Sequence, residues 1–493
     1  MDNSYWISST ENVRKKYPKL QEEIETEITI IGAGLTGITT GYYLSKIKKD
    51  VVILEKNRIC ESTTGNTTGK ITSQHGLFYY YLIESQGKEY AMQYLFANEK
   101  AIENISRIVE KENIDCDFEW QDAYVFAQTE EKLEEIKKEQ KALEYLGFKN
   151  SKLVDRIEVP IKNKNVIGAL KFRNQAQFNA CKYGLGLAKC IEDAKGKIYE
   201  NSKVIDIKKE ENFYIVKTEE GVVKSKIVII ASHFPIVDVP GFYFVKMYQA
   251  TSYLIAVETK SKLFDGMYIS ADNNKISLRT AKYGDKRIVL IGGSSHKTGA
   301  KVNLKNSFKE LENIANEMFP GSKVLCKWNA EDCISLDKIP YIGEFSNFWQ
   351  NVYIGTGYNK WGMTSSNVAA NIIKDKILGI ENPYEEVFIS TRLKPIKNYK
   401  ELGNMLKEVT YSEVINKLKD IGEHTKDVKQ GEGKIVEIAG KKVGVYRNKE
   451  GKLYVVKPYC SHLGCELSWN NLENTWDCPC HGSRFDIYRK INT

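Results

Sequence analysis

A chain of 493 residues is long enough for about two to four domains, and a 42% hydrophobic share is ample for sizeable cores. The net charge of +8 comes from Lys and Glu mixed along the chain and not gathered in blocks, which argues against a nucleic-acid role. No apolar run reaches the length of a membrane span, and the start, MDNSYWISSTENVRKKYPKL, lacks the apolar core of a signal peptide, so a cytoplasmic location is expected.

Chemistry begins with EITIIGAGLTGITTGYYL (27–44), which reads as a buried strand, a glycine turn and a helix. Gly32, Gly34 and Gly37 fit G-x-G-x-x-G: the first permits the tight turn, the second lets backbone approach a pyrophosphate, and the third lets helix pack on strand. The diphosphate of a dinucleotide then sits on the helix N-terminus. A second strand, VVILEK (51–56), brings Glu55 to its end, 18 residues after Gly37, where a carboxylate meets ribose hydroxyls. The loop STTGNTTGKI (62–71) that follows is not a P-loop. Gly65 to Gly69 is one residue short, and Ile71 stands where a magnesium-binding Ser or Thr is needed.

Helical periodicity covers residues 87–113 and, strongly charged, 130–147, with strand pattern near 117–127 between them. KMYQATSYLIAVE (246–258) and the pair GMYISADNNKISLRTA and KRIVLIGGSS (266–295) alternate and carry β-branched residues, as strands do. A Lys- and Glu-rich stretch at 396–428 has helical periodicity but few apolar positions and reads as a connecting helix and linker. Short strands punctuated by glycine turns fill 431–460.

Two ligand boxes near the C-terminus are the most informative feature. Cys460-Ser-His462 and Cys478-Pro-Cys480-His481 are separated by 15 residues, and each offers one thiolate and one imidazole. That is the ligand set of a Rieske-type 2Fe-2S centre, whose neutral imidazoles raise its potential to roughly −150 to +300 mV. Two Cys and two His also make a closed zinc site, although zinc fingers more often pair C-x-x-C with H-x-x-x-H. Six other cysteines, Cys60, Cys116, Cys181, Cys190, Cys326 and Cys333, are scattered and read as buried, inert thiols.

CSHLGC (460–465) and CPCHGSRF (478–485) resemble the Rieske family, over about the last 65 residues. The resemblance implies Cys460, His462, Cys478 and His481 as iron ligands, a Cys465–Cys480 bridge between the loops, and a hydrogen bond from Ser483 to a cluster sulfur. Phe485 stands where the disulfide-bearing branch has a tyrosine donor, so the potential is expected to lie below that branch.

Most of the first 395 residues resemble the D-amino-acid oxidase-like family of FAD-dependent oxidoreductases. Besides the fingerprint, Glu55 and the 62–71 loop, the resemblance is carried by QFNACKYGLGLAKCIEDAKGKIYENSKVIDI (177–207), IVIIASHFPI (227–236), NAEDCISLDKIPYIG (329–343) and NVYIGTGYNKWGMTSSNVAANIIKD (351–375). It implies FAD, with Thr67 and Thr68 in a phosphate-contacting loop and Val204 meeting adenine through its backbone. Gly357, Trp361, Gly362 and Met363 would border the flavin, Gly355 also allowing close backbone approach. A helix beginning near Trp361 would point about half a positive charge at the ring and stabilise the anion of reduced flavin.

The implied architecture is an α/β FAD-binding domain of Rossmann-like, glutathione-reductase type with an inserted α+β substrate domain, plus a small all-β Rieske domain. Expected boundaries are 1–395 for the flavoprotein (FAD domain about 1–80, 165–240 and 330–395; substrate domain about 81–164 and 241–329), 396–428 for the linker and 429–493 for the Rieske domain. The family implies oxidation of a C–N bond in an amine or amino acid. A flavin takes two electrons as a hydride and the cluster takes one at a time, so a dehydrogenase passing electrons from FAD through the cluster to an acceptor is expected. Arg279 is the candidate for gripping a substrate carboxylate, with a solvated strand arginine as the alternative. Tyr253 and His296 are further candidates. Two rivals stay open at this point. An NAD(P)H-linked reductase component needs a second dinucleotide fingerprint, whose spacing LIGGSSHKTG (290–299) lacks; the other rival is a non-enzymatic redox carrier or sensor.

Overall fold

The computed structural model describes residues 4–160, 166–237, 240–272, 276–300, 304–392, 428–438, 441–460, 464–480 and 482–488. The expected linker at 396–428, apart from Val428, lies outside the described residues. No helix among the described residues is long and apolar enough to cross a membrane.

The fingerprint strand Glu23–Ile31 pairs in parallel with Val51–Leu54 on one side and Val222–Ile230 on the other. Val352–Thr356 and Lys197–Tyr199 extend this parallel core, Tyr341–Glu344 closes one edge antiparallel, and the hairpin Val204–Lys209 with Tyr214–Thr218 hangs from Val222–Ile230. A parallel sheet must be covered on its faces, which is why its strands read as unbroken apolar runs. Helix Leu35–Lys46 packs between Ala180–Asp193 and Gly362–Leu378 over one face.

The second sheet has nine strands. In order it runs Lys323–Ser335, Met247–Glu258, Lys286–Lys297, Ser277–Tyr283, Met267–Ser270, Glu119–Ala127, Gly168–Gln177 and Lys70–Ile71, with Ser151–Val154 paired to Gly168–Gln177. Two of the expected domain boundaries fall beside or within strands of this sheet. Gly168–Gln177, which follows the expected return to the FAD portion near 165, satisfies its backbone against Glu119–Ala127. Lys323–Ser335 pairs along Met247–Glu258, so the boundary near 330 falls inside a strand. The charged helix Glu130–Tyr145 packs on this sheet, the long helix Lys88–Lys111 packs against the helices Tyr79–Gln86 and Gly362–Leu378, and Tyr79–Gln86 is ended by Gly87 at φ +93°.

A short N-terminal helix, Tyr5–Ser8, buries Tyr5, Trp6 and Ile7. It clasps the 62–71 loop: the Trp6 indole N–H donates to the Thr67 carbonyl at 2.6 Å, and the Ser4 hydroxyl donates to the Gly65 carbonyl. The C-terminal part is all β, with two three-stranded antiparallel sheets. Trp476, Leu467, Tyr446, Phe485 and the buried Cys460 and Cys478 form its core. Cys465 and Cys480 form a disulfide between the two ligand loops.

Candidate functional site

A cavity of about 1750 Å³ lies beyond the C-terminal ends of the parallel strands, between the two large sheets. Ligands of open α/β sheets bind in this crevice.

At one end the glycine turn is enforced sterically. A side chain on Gly32, at φ +102°, would sit 2.6 Å from the Ala231 carbonyl oxygen, and one on Gly37 would overlap the Gly32 carbonyl. Gly37 itself does not line the cavity, as its helix-packing role requires, whereas Gly32 and Gly34 do. Thr64 accepts the Leu35 N–H at 3.1 Å, tying the 62–71 loop to the first helical turn. Thr67, Thr68 and Val204 line the cavity here. Glu55 is buried, accepting the N–H groups of Ala33 (2.7 Å) and Asn57 (3.0 Å). Burial pushes its carboxyl above the ordinary range, against the pull of those two donors.

In the middle of the cavity Gly357 turns at φ +72° and the 17-residue helix Gly362–Leu378 begins, so Trp361, Gly362 and Met363 border the open space with first-turn N–H groups. The Trp361 ring stacks on His75 at 4.8 Å and 13°. His75 Nε2–H donates to the Thr72 carbonyl at 2.9 Å while Nδ1 accepts from the Tyr94 hydroxyl at 2.7 Å, and burial lowers its pKa to about 3, so the ring is neutral. His233, at φ +65°, lies across the cavity with Nδ1 3.3 Å from the Thr63 hydroxyl; its buried Nε2 has no partner among the described residues, and burial lowers its pKa to about 4.

The nine-stranded sheet forms the opposite wall. Tyr253 donates to His296 Nε2 at 3.1 Å, while His296 Nδ1–H donates to the Lys297 carbonyl at 2.9 Å. Both residues line the cavity. Arg279 does not. It is 3% exposed, and its guanidinium donates to the carbonyls of Gly69 (2.6 Å), Thr68 (3.0 Å), Thr280 (3.0 Å) and Phe178 (3.3 Å) while lying over Trp6. Burial lowers its pKa to about 9. The expected substrate grip is therefore corrected: Arg279 faces away from the cavity because the carbonyls of the 62–71 loop need its donors. Lys70, which follows Gly69 in the chain, does line the cavity. Its Nζ donates to the Tyr268 carbonyl (2.9 Å) and the Ser277 hydroxyl (2.6 Å), and burial drives its pKa well below the ordinary lysine value.

The cavity's far rim is supplied by the C-terminal part, through Glu473, Thr475, Ser483 and Arg484. Both ligand loops fold back on themselves. Cys460 N–H donates to the Cys465 carbonyl and Cys478 N–H to the Ser483 carbonyl, each at 2.8 Å, and the Gly464 and Gly482 N–H groups return to the Cys460 and Cys478 carbonyls at 3.0 and 2.8 Å. The Cys478 sulfur lies within 4.8 Å of both bridged sulfurs, which are spent in the disulfide and are not themselves ligands. His462 and His481 lie outside the described residues. Arg484 is buried between Glu331 of the large sheet and Glu473, with Asp477 at 3.2 Å, and Asn329 donates to Glu473. Three carboxylates share one guanidinium, and burial raises the pKa of Glu331 to about 7.

Residues 27–376 match the family of FAD dependent oxidoreductases, and residues 421–492 match the Rieske [2Fe-2S] domain. The chain belongs to the FAD-dependent oxidoreductase family and carries a Rieske domain. It is 37% identical over 482 residues to a Bacillus subtilis protein named for a Rieske 2Fe-2S iron-sulfur centre, covering 98% of this chain and 94% of that one. The gamma-glutamylputrescine oxidoreductase of Escherichia coli is 23% identical over 395 residues, covering 76% of this chain and 89% of that protein. In fold, the crystal structure of glycine oxidase from Geobacillus kaustophilus superposes with a TM-score of 0.65 at 18% identity, over 75% of this chain and 100% of the other.

The cofactors are therefore FAD and a 2Fe-2S cluster, and the chain is an oxidoreductase. The residues fit both groups. The glycine cradle, the helix N-terminus and the unpartnered His233 Nε2 suit a dinucleotide with a flavin, and Cys460 and Cys478 bring two buried thiols to loops tied by a disulfide. His75, His233, Lys70 and Arg484 were not anticipated. The chain has only 6 histidines, and His75, His233 and His296 line one cavity, so scarcity was the available signal for two of them.

Proposed function

We propose that the protein is a dehydrogenase that oxidises a C–N bond of an amine or amino acid and exports the electrons singly through the cluster to an acceptor. When bound, FAD supplies the two-electron chemistry, the substrate losing a hydride and a proton to become an imine. One observation carries this reading. On strand Met247–Glu258, Met247 packs against Gly357 at the flavin side, and Gln249, two residues on and so on the same face, packs against Gly482 of the second ligand loop. Two strand residues span about 7 Å, so a single strand face joins the two redox sites.

In this reading Gly32, Gly34, Thr67 and Thr68 hold the diphosphate, Glu55 the ribose and Val204 the adenine. Gly357, Trp361, Gly362 and Met363 border the ring, and the helix N-terminus stabilises negative charge gathered there. Cys460, His462, Cys478 and His481 hold the cluster, and the Ser483 hydroxyl donates to one of its sulfurs. Lys70 has both N–H donors committed when neutral and keeps a lone pair at the cavity wall; its Nζ takes the proton that a substrate ammonium must lose. The Tyr253–His296 pair fixes a donor and acceptor on the sheet wall beside the substrate.

An anaerobic panel of amines and amino acids, followed by flavin absorbance, tests the reading. Bleaching by one of them, followed by reduction of the cluster, is expected. Bleaching by NAD(P)H alone, with no response to any amine, would overturn it.

A further inference from the structure

The 62–71 loop is held from outside by its carbonyls. The Ser4 hydroxyl donates to the Gly65 carbonyl, the Trp328 indole N–H to that of Asn66 at 3.0 Å, the Trp6 indole N–H to that of Thr67 at 2.6 Å, and the Arg279 guanidinium to those of Thr68 at 3.0 Å and Gly69 at 2.6 Å. Five consecutive carbonyls are thus taken by side chains of the N-terminal helix and its cap and of two strands of the nine-stranded sheet. All four donor residues are buried, and none lines the cavity, whereas Asn66, Thr67 and Thr68 do.

In a trans peptide the C=O and the N–H of the following residue point in opposite directions. Carbonyls drawn outward at Asn66 and Thr67 therefore turn the N–H groups of Thr67 and Thr68 toward the cavity. Successive backbone N–H groups aimed into a concavity make an anion site. The helix that supplies Trp6 is itself fixed: the Thr10 hydroxyl donates to the Trp6 carbonyl at 2.9 Å, the Asn179 amide to the Ser9 hydroxyl at 3.2 Å, and the Tyr5 hydroxyl to the Lys282 carbonyl. It also lies against the loop, since a Cβ on Gly65 would meet Ile7 at 2.9 Å.

We propose that Trp6 is a positioning residue for the FAD diphosphate: by drawing the Thr67 carbonyl out of the cavity it presents the Thr68 N–H to the phosphate oxygens, as Trp328 does for the Thr67 N–H, so the N-terminal helix is part of the cofactor site. Without that donor the carbonyl is free to swing inward, where its oxygen repels a phosphate. The inference rests on the assignment of Thr67 and Thr68 to the diphosphate and needs no amine substrate. The Rieske part meets the flavoprotein elsewhere: Pro479 N lies 2.6 Å from where a Cβ on Gly299 would sit, and Ser468 donates its hydroxyl to the Gly299 carbonyl at 2.8 Å.

The test compares full-length holoprotein of wild type, Trp6→Phe, Tyr5→Phe and Thr68→Pro by the FAD fluorescence released on dilution and by the phosphorus-31 resonances of bound FAD with the cluster oxidised. Trp6→Phe keeps a ring against Arg279 and loses the indole donor; FAD is expected to bind about tenfold more weakly, with displaced diphosphate resonances and unchanged iron content. Tyr5→Phe frees the Lys282 carbonyl and no loop carbonyl, and is expected to match wild type. Wild-type affinity and resonances in Trp6→Phe, or an equal loss in Tyr5→Phe as a merely loosened helix would give, overturn the proposal. Thr68→Pro removes the N–H itself, and Thr67 before it is already extended at φ −72° and ψ 171°, as a following proline requires. Wild-type FAD binding in Thr68→Pro overturns the diphosphate assignment as well; weakened binding there beside an unaltered Trp6→Phe overturns the role of Trp6 alone. Should FAD not leave the wild-type protein on dilution, the phosphorus resonances decide by the same outcomes.

Discussion

The two ends of the cavity are built by different means. At the nucleotide end the turn from Gly32 to Gly37 is shaped by close approach: a Cβ on Gly32 would meet the Ala231 carbonyl and one on Gly37 the Gly32 carbonyl, while the Glu55 and Thr64 side chains take the Ala33 and Leu35 N–H groups. At the cluster end the wall is an ion cluster in which Arg484 is caged by Glu331, Glu473 and Asp477, two of them from its own domain and one from the far strand of the large sheet. The first device needs only the flavoprotein part of the chain. A shared buried charge needs both domains seated.

Removing a ligand is the most severe way to separate the ends. Cys478→Ser is expected to abolish iron and acid-labile sulfide while leaving the flavin spectrum intact, as elemental analysis with absorbance would record; loss of both cofactors would mean the ends are not separable. Arg484→Met comes next. It strands three carboxylates in a buried site, and breaking such a pairing costs about 3–5 kcal/mol, expected as early melting of the Rieske part and slower reduction of the cluster after the flavin is reduced. Arg279→Met probes the other end. It leaves carbonyls of the 62–71 loop without donors, at about 1–3 kcal/mol each, and FAD retention on gel filtration is expected to fall; a change only in substrate KM would restore Arg279 as a substrate contact.

The smallest effect sharpens the contrast through pH. His75 and His233 have pKa values lowered by burial from 6.5 to about 3 and 4, so their contribution to stability is full above pH 6.5 and lost as pH falls toward those values. Glu331, raised from 4.5 to about 7, contributes in the opposite sense: its stability is full below pH 4.5 and lost as pH rises through about 7. Melting curves for Glu331→Gln and wild type should diverge between pH 5 and about 7.5, the variant losing less stability as pH rises.

How much of this was legible follows the same division. The glycine turn and Glu55 are short-range patterns whose chemistry demands particular residues at fixed spacing, the Cys465–Cys480 bridge was legible through the Rieske resemblance, and the structure holds the turn, the buried Glu55 and the disulfide; His462 and His481 of the ligand boxes lie outside the described residues. Arg279 is hard to place from sequence because SLRT on an alternating strand does not say which face looks toward substrate; the buried N-terminal helix Tyr5–Ser8 decides it by bringing Trp6 against the guanidinium. The pairing of Gly168–Gln177 is not legible in sequence because its partner, Glu119–Ala127, lies far back in the chain, and pairing is not a property of either segment alone. Arg484 reads in sequence as one more residue after the second box, since its counter-charge at Glu331 is over a hundred positions earlier.

The bare backbone at Gly299 restricts how this protein can be re-engineered. Because a Cβ at Gly299 would run into the Pro479 backbone while its carbonyl accepts the Ser468 hydroxyl, a transplanted electron-transfer module will seat only where the recipient offers a residue without a side chain, whatever surface charges are matched. Chimeras with other iron–sulfur modules should be screened at this position first.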